Sequence, residues 1–93
     1  MKLVWAVVEN EDAGNAVKAL VGKGYRTTRI NTVGGLLKRG NASLLAGVEA
    51  EQVDDVIATL RQHCHARGAS QDAPAPRARA VVFVLDAPGF LQI

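Results

Sequence analysis

The chain carries a continuous apolar run of strand length near each of its ends. Leu3–Val8 reads Leu-Val-Trp-Ala-Val-Val, and Val81–Leu85 reads Val-Val-Phe-Val-Leu. A strand that is apolar at every position is typical of the middle of a sheet that is covered on both faces. We therefore expect the first run to be a central strand and the second to be another buried strand. Their aromatic residues, Trp5 and Phe83, are expected in the core rather than in a platform on which bases stack.

Two amphipathic helices are predicted between these runs. The first spans residues 11–22, with Asn10 as its cap and with glycines at its end. The second begins at Glu51, and one apolar stripe runs along it at helical spacing. That stripe consists of Val53, Val56, Ile57, Leu60 and Cys64.

Two further strands are predicted at residues 25–33 and 42–49, and the last strand extends over residues 78–85. The order is therefore strand, helix, strand, strand, helix, strand. With right-handed crossovers this order gives an α+β fold, the ferredoxin-like βαββαβ sandwich, in which a four-stranded antiparallel sheet carries two helices on one face. The other face is apolar on the first and last strands, so we expect another subunit to cover it.

All 93 residues are expected to form one domain, 1–93, with a mobile loop at about 66–77. Four aromatic residues leave a core of valine, leucine and alanine, and so small a domain favours oligomerisation. No apolar run reaches the roughly 18 residues that span a bilayer, and no signal-peptide pattern is present, so we expect a cytoplasmic protein. The single cysteine, Cys64, agrees with a reducing compartment.

Charge is distributed unevenly along the chain. Residues 13–48 contain no acidic residue, and their formal charge is +6, whereas that of the whole chain is +2. A local positive field favours an anionic ligand or a phosphate backbone. A solvated surface neutralised by the flanking helices explains the charge alone equally well. The bases in this window are Lys18, Lys23, Arg26, Arg29, Lys38 and Arg39.

The same window contains the groups that a phosphate site needs. Gly34-Gly35 allows backbone amides to approach phosphate oxygens closely. Arg26 can bind a phosphate through two hydrogen bonds, and Thr28 and Asn41 can bind the polar edges of a base or ribose. A nucleotide with two phosphates fits this set.

No catalytic or metal-binding pattern is found. The acids at residues 9–12 lie at a helix start, where capping and the helix dipole explain them. His63, Cys64 and His65 are consecutive, so on a helix their side chains point about 100° apart and cannot all bind one ion. Strand 42–49 has no aromatic residue on which an RNA-recognition module of this fold would stack bases. We therefore expect no enzyme, no metal, no cofactor and no nucleic-acid partner.

Five short motifs are spread along nearly the whole chain. They are Gly24-Tyr25-Arg26 with Thr28, Thr32-x-Gly34-Gly35-x-Leu37, Gly40-Asn41, Gly47-Val48-Glu49 and Val82-Phe83-Val84-Leu85. Together they resemble the motifs of the cyclic-di-AMP receptor family, whose members are PII-like signal-transduction proteins. The resemblance implies a PII-like homotrimer without catalytic activity. Such a protein binds cyclic di-AMP in clefts between subunits and passes the signal to a partner protein, not yet identified, by loop rearrangement.

The resemblance also implies which residues bind the ligand. Arg26 and Thr28 should contact phosphate and base, and Gly35 should contact a phosphate through its backbone. Leu37 should contact the purine, and Asn41 and Gly47 should contact adenine edges. Two alternatives remain open, namely a PII-like regulator that binds ATP or ADP and a structural trimer without a nucleotide ligand. The expected ligand residues are Arg26, Thr28, Gly34, Gly35, Leu36, Leu37, Asn41 and Gly47.

Overall fold

The computed structural model describes residues 1–31, 41–65 and 80–89. Several predictions lie outside these residues. They concern the end of the second strand at 32–33, the turn with Gly34 to Leu37, the loop at 66–77 and the start of the last strand at 78–79.

The described residues form a four-stranded antiparallel sheet and two α-helices, which confirms the predicted ferredoxin-like α+β fold. The strands lie in the order β2-β3-β1-β4, so β3 and β1 occupy the middle of the sheet. A 3₁₀ turn, Ala50–Gln52, precedes the second helix. The elements are β1 Lys2–Glu9, α1 Asn10–Gly22, β2 Thr27–Asn31, β3 Asn41–Val48, α2 Val53–His63 and β4 Ala80–Asp86.

The core lies between the sheet and the two helices. Alternate residues of β1 and β3 point into it, because successive side chains of a strand face opposite sides of the sheet. Three of the strand residues are alanines, which leave room for the helices to lie close to the sheet. The sheet contributes Val4, Ala6, Val8, Ala42, Leu44, Ala46 and Val48, and the helices with the end of α2 contribute Ala13, Ala16, Leu20, Val56, Leu60 and Cys64.

The prediction that Trp5 and Phe83 are core residues is wrong for the single chain. Both lie on the sheet face opposite the helices, where Trp5 is 37% and Phe83 is 49% exposed. Their rings contact each other with centroids 5.9 Å apart, and the Trp5 indole donates to the Ser43 hydroxyl at 3.1 Å. The helices cover only one face of the sheet, so the apolar strands are left half uncovered.

The helix starts differ in detail from the predictions. Glu9, not Asn10, is the residue that precedes α1, and its side chain makes no capping hydrogen bond. Asp12 is buried in the first turn, where its carboxylate accepts a hydrogen bond from the backbone N–H of His65 at 3.1 Å. This bond joins the end of α2 to the start of α1. Ahead of α2, Glu49 and Gln52 form a capping box.

Candidate functional site

A pocket of about 290 Å³ lies on the uncovered face of the sheet, at the end of β3 that is near Gly47. Arg26, Thr28 and Gly47 line it together, although Arg26 and Gly47 are far apart in sequence. Its other lining residues are Met1, Lys2, Leu3, Leu45, Ala87 and Gly89. Three of the predicted ligand residues therefore meet at one site.

Strand register explains why these residues meet. Thr28 of β2 is paired with Leu45 of β3, and Gly47 of β3 is paired with Leu3 of β1. Arg26 precedes Thr28 by two positions, so its side chain leaves the sheet on the same face. The result is an apolar floor from two leucines, with a guanidinium and a hydroxyl beside it. A floor of this kind can take the face of a base while the polar groups bind a phosphate.

Gly47 keeps the middle of this pocket open. A Cβ atom at this position would approach Met1 Cε at 3.6 Å, which is an ordinary van der Waals contact. The chain itself therefore leaves room for a small side chain at residue 47. Because Gly47 has no side chain, the backbone of β3 is exposed in the pocket, and a ligand can approach that backbone closely.

Asn41 is not part of this pocket. It lies at the opposite end of β3, where it is paired with Glu9, whereas Gly47 is paired with Leu3. Gly47 follows Asn41 by six positions of extended strand, which corresponds to about 20 Å. The remaining predicted ligand residues, Gly34, Gly35, Leu36 and Leu37, lie outside the described residues.

The basic side chains in and near the pocket have different partners. Lys2 forms an ion pair with Asp86, and this contact lowers the pKa of the Asp86 carboxyl. Arg29 lies on β2, but it leaves the strand on the face opposite the pocket and donates to Asn31 Oδ1 at 2.9 Å. Arg26, which directly precedes β2, lines the pocket, whereas Arg29 does not.

On the helix side of the sheet, hydrogen bonds among four polar side chains hold the segment that leads into β2. Tyr25 donates its hydroxyl to Asp55 Oδ2 of α2 at 2.6 Å. Lys23 donates to Asp55 Oδ1 at 3.0 Å and to the hydroxyl of the buried Thr59 at 2.8 Å. We call Lys23, Tyr25, Asp55 and Thr59 the Asp55 cluster. It ties the turn between α1 and β2 to the second helix, directly before Arg26.

The Asp55 cluster shifts two pKa values in opposite directions. Hydrogen bonds from Tyr25 and Lys23 lower the pKa of Asp55 below its ordinary value of 3.8. The bond to Asp55 raises the pKa of the Tyr25 hydroxyl above 10.0. The carboxylate therefore contributes stability that is present above pH 3.8 and is lost as pH falls through the lowered pKa. The tyrosine's contribution is present below pH 10.0 and is lost as pH rises through the raised pKa.

Replacing Asp55 by Asn is expected to lower the melting temperature at neutral pH. The difference from the wild type should vanish as pH falls through the pKa of Asp55, because a protonated aspartate resembles asparagine in this contact. Melting curves between pH 2 and 8, followed by circular dichroism, measure this. Asp54→Asn, at the exposed neighbouring position, is the matched control and should follow the wild type. A difference that persists unchanged at acidic pH would contradict the assignment.

The sequence did not indicate the apolar floor or the Asp55 cluster. Leu3 belongs to a run that is predicted as a central strand, and Leu45 belongs to the strand predicted at residues 42–49. The alternation of side chains along β1 and β3 could have indicated the floor, but only together with the register of the two strands. That register depends on how the strands pair, which the sequence does not state. Asp55 was expected to face water, and half of its side chain does so while both oxygens accept hydrogen bonds.

A larger cavity of about 590 Å³ lies elsewhere, between α2 and β4. It is open and mainly apolar, and it contains none of the predicted ligand residues. Its described lining residues are Ile57, Leu60, Arg61, Cys64, Ala80 and Val82. We take the smaller pocket as the candidate site, because a guanidinium, a hydroxyl and an exposed backbone segment from three predicted ligand residues converge there.

Within residues 1–31, 41–65 and 80–89, no three His, Cys, Asp or Glu residues are grouped so that they could hold a metal ion. None of the helices formed by those residues is long and apolar enough to cross a membrane.

The described residues thus form a ferredoxin-like sheet of the α+β class with one uncovered face, on which Arg26, Thr28 and Gly47 line a pocket. A family model described as cyclic-di-AMP receptor matches residues 1–88. The chain therefore belongs to the cyclic-di-AMP receptor family, as its motifs indicated. This is a family of receptors, not of enzymes, and it places the chain among nucleotide-sensing signalling proteins.

The fold is also similar to a solved structure. The crystal structure of a functionally unknown protein from Pediococcus pentosaceus superimposes with a TM-score of 0.77 and 28% sequence identity. The match covers 99% of this chain and 96% of that chain. The likeness extends over the whole sandwich and agrees with the strand order described above.

Proposed function

We propose that this protein binds cyclic di-AMP in clefts between the subunits of a homotrimer and relays binding to a partner protein through loop rearrangement. The observation that carries the proposal is the meeting of Arg26, Thr28 and Gly47 in one pocket. Family membership makes a cyclic dinucleotide the first ligand to consider. No chemical step is proposed.

The pocket has the chemistry for one half of the dinucleotide. The Arg26 guanidinium can donate two parallel hydrogen bonds to a phosphate, and such charge-assisted bonds are about twice as strong as neutral ones. Thr28 can donate to or accept from a polar edge of base or ribose. The purine would lie against Leu3 and Leu45, where a flat apolar surface is available.

The size of the pocket supports a shared site. Its volume of about 290 Å³ is at the lower end of the range for small-molecule sites, roughly 300 to 1,000 Å³. It is also wide open, so a ligand with two nucleotides would be covered on one side only. A second subunit would close the site. Because Asn41 lies about 20 Å from Gly47 along β3, a neighbouring copy could supply its Asn41 to the same ligand.

The uncovered sheet face supports the homotrimer. It is apolar beyond the pocket, and several of its large side chains are between 37% and 49% exposed. An apolar face of this kind on a small domain marks an interaction surface. Its exposed members are Trp5, Ile30, Val81, Phe83 and Leu85.

Melting temperatures with a panel of nucleotides test the proposal. A ligand at about 100 times its Kd stabilises the folded state by about 2.7 kcal/mol, which raises the melting temperature by several degrees. Cyclic di-AMP should produce this rise, whereas cyclic di-GMP should not. A larger rise with ATP or ADP would favour an adenine-nucleotide regulator. No rise with any nucleotide would leave a structural trimer.

A further inference from the structure

We infer that Tyr25 is a positioning residue for Arg26, and that its bond to Asp55 couples the ligand pocket on one face of the sheet to helix α2 on the other. The inference rests on the proposed ligand site at Arg26. It adds a residue that does not itself line the pocket. It also gives α2 a part in the response to the ligand.

Tyr25 and Arg26 are neighbours whose side chains leave the chain on opposite sides. Tyr25 packs against the core on the helix side and reaches Asp55 at 2.6 Å, whereas Arg26 lines the pocket on the uncovered side. A displacement of the backbone at residue 25 therefore moves the base of the Arg26 side chain directly. A guanidinium that binds phosphate through two bonds is sensitive to such a displacement, because both bonds must align together.

The segment around Tyr25 lies next to an edge strand. β2 lies at the edge of the sheet and is paired with β3 alone, and its residues are mostly exposed. The turn before it contains Gly24 with a φ of 89°, a conformation that other residues rarely adopt. The backbone of Tyr25 is held by its N–H, which donates to Leu20 O at 3.0 Å, and by its carbonyl, which accepts from the Thr27 hydroxyl at 3.1 Å.

Further hydrogen bonds fix the Asp55 side chain that binds Tyr25. Asp55 accepts from Tyr25 with one carboxylate oxygen and from Lys23 with the other. The Thr59 hydroxyl, which accepts from Lys23, donates back to the carbonyl of Asp55 at 2.8 Å. One turn of α2 thus fixes both ends of the Lys23–Tyr25 segment. A ligand that draws Arg26 toward its phosphate would act on α2 through the same bonds.

Removing the Tyr25 hydroxyl could weaken binding either by displacing Arg26 or by loosening the whole fold. The experiment has to distinguish these two effects. We would measure cyclic di-AMP affinity for the wild type, Tyr25→Phe, Arg26→Ala and the double variant, with ligand-observed NMR up to millimolar ligand for the weak binders. Tyr25→Phe removes only the hydroxyl and should weaken binding about three- to tenfold. In the Arg26→Ala background the same change should have less than a twofold effect, since the residue it positions is gone. Asp54→Ala is the matched control and should bind like the wild type.

Amide hydrogen exchange in the ligand-free protein gives a second readout. Tyr25→Phe should accelerate exchange in residues 25–28 more than in β1 and β3. Equal effects of Tyr25→Phe in both backgrounds, unchanged affinity, or uniform acceleration across the sheet would overturn the inference. A wild type that binds no cyclic di-AMP would instead remove the proposed function, so the two failures are distinguishable.

Discussion

Arg26→Ala is expected to weaken the binding of cyclic di-AMP by about 10- to 150-fold, which corresponds to about 1.5 to 3 kcal/mol. The guanidinium is the group in the pocket that can form two charge-assisted bonds with one phosphate. Its loss leaves a hydroxyl, an apolar floor and Lys2, whose charge is already paired with Asp86. Calorimetric titration of both proteins at one salt concentration measures the difference.

Arg29→Ala is the matched control for this experiment. Both arginines belong to the same stretch of chain and carry the same charge, but Arg29 leaves the strand on the other face and donates to Asn31. Its removal changes the net charge by the same amount without changing the pocket. Equal losses of affinity in the two variants would show a general electrostatic effect and would contradict the role of Arg26.

Phe83→Asp is expected to separate the proposed homotrimer into monomers at micromolar concentration. Phe83 lies on β4 at the edge of the sheet, on the uncovered face beside Trp5, so the substitution places a carboxylate where the proposed interface is apolar. Closed symmetry would repeat the change in every subunit, and a buried charge without a partner is strongly unfavourable. Light scattering coupled to gel filtration measures the mass. Cyclic di-AMP affinity should fall in parallel, because the clefts would no longer form.

Val21→Asp controls for the chemistry of this substitution. Val21 is 54% exposed on α1, away from the uncovered face of the sheet, so a charge there should leave the assembly unchanged. Circular dichroism of both variants would show that each remains folded. A Phe83→Asp protein with the mass of the wild type would contradict the use of this face as the interface.

Much of the fold could be predicted from local pattern. The period of the apolar residues separates strands from helices, and the order of elements restricts the chain to one sandwich topology. β3 and β1 occupy the two central positions in the sheet. The apolar run Leu3–Val8 correctly indicated that β1 is a central strand. Alternation also places Arg26 and Thr28 on one face of a strand without any structure.

The rest depends on pairing over long distances. Nothing local to Leu3 indicates that it lies beside Gly47, because that contact follows from the register of two strands more than forty residues apart. Trp5 was misjudged for a related reason. An apolar run is the same whether its second face is covered by a helix of its own chain or by another molecule, and within residues 1–31, 41–65 and 80–89 only one face is covered.

The central claim is tested most directly by calorimetric titration of the wild-type protein with cyclic di-AMP, alongside cyclic di-GMP and ATP. We expect a Kd in the micromolar range, about 8 kcal/mol of binding free energy, with one ligand per subunit and weaker or no binding of the other two. Absence of heat with cyclic di-AMP at high concentration, in a protein that is folded and trimeric, would contradict the proposed function and leave the fold as described.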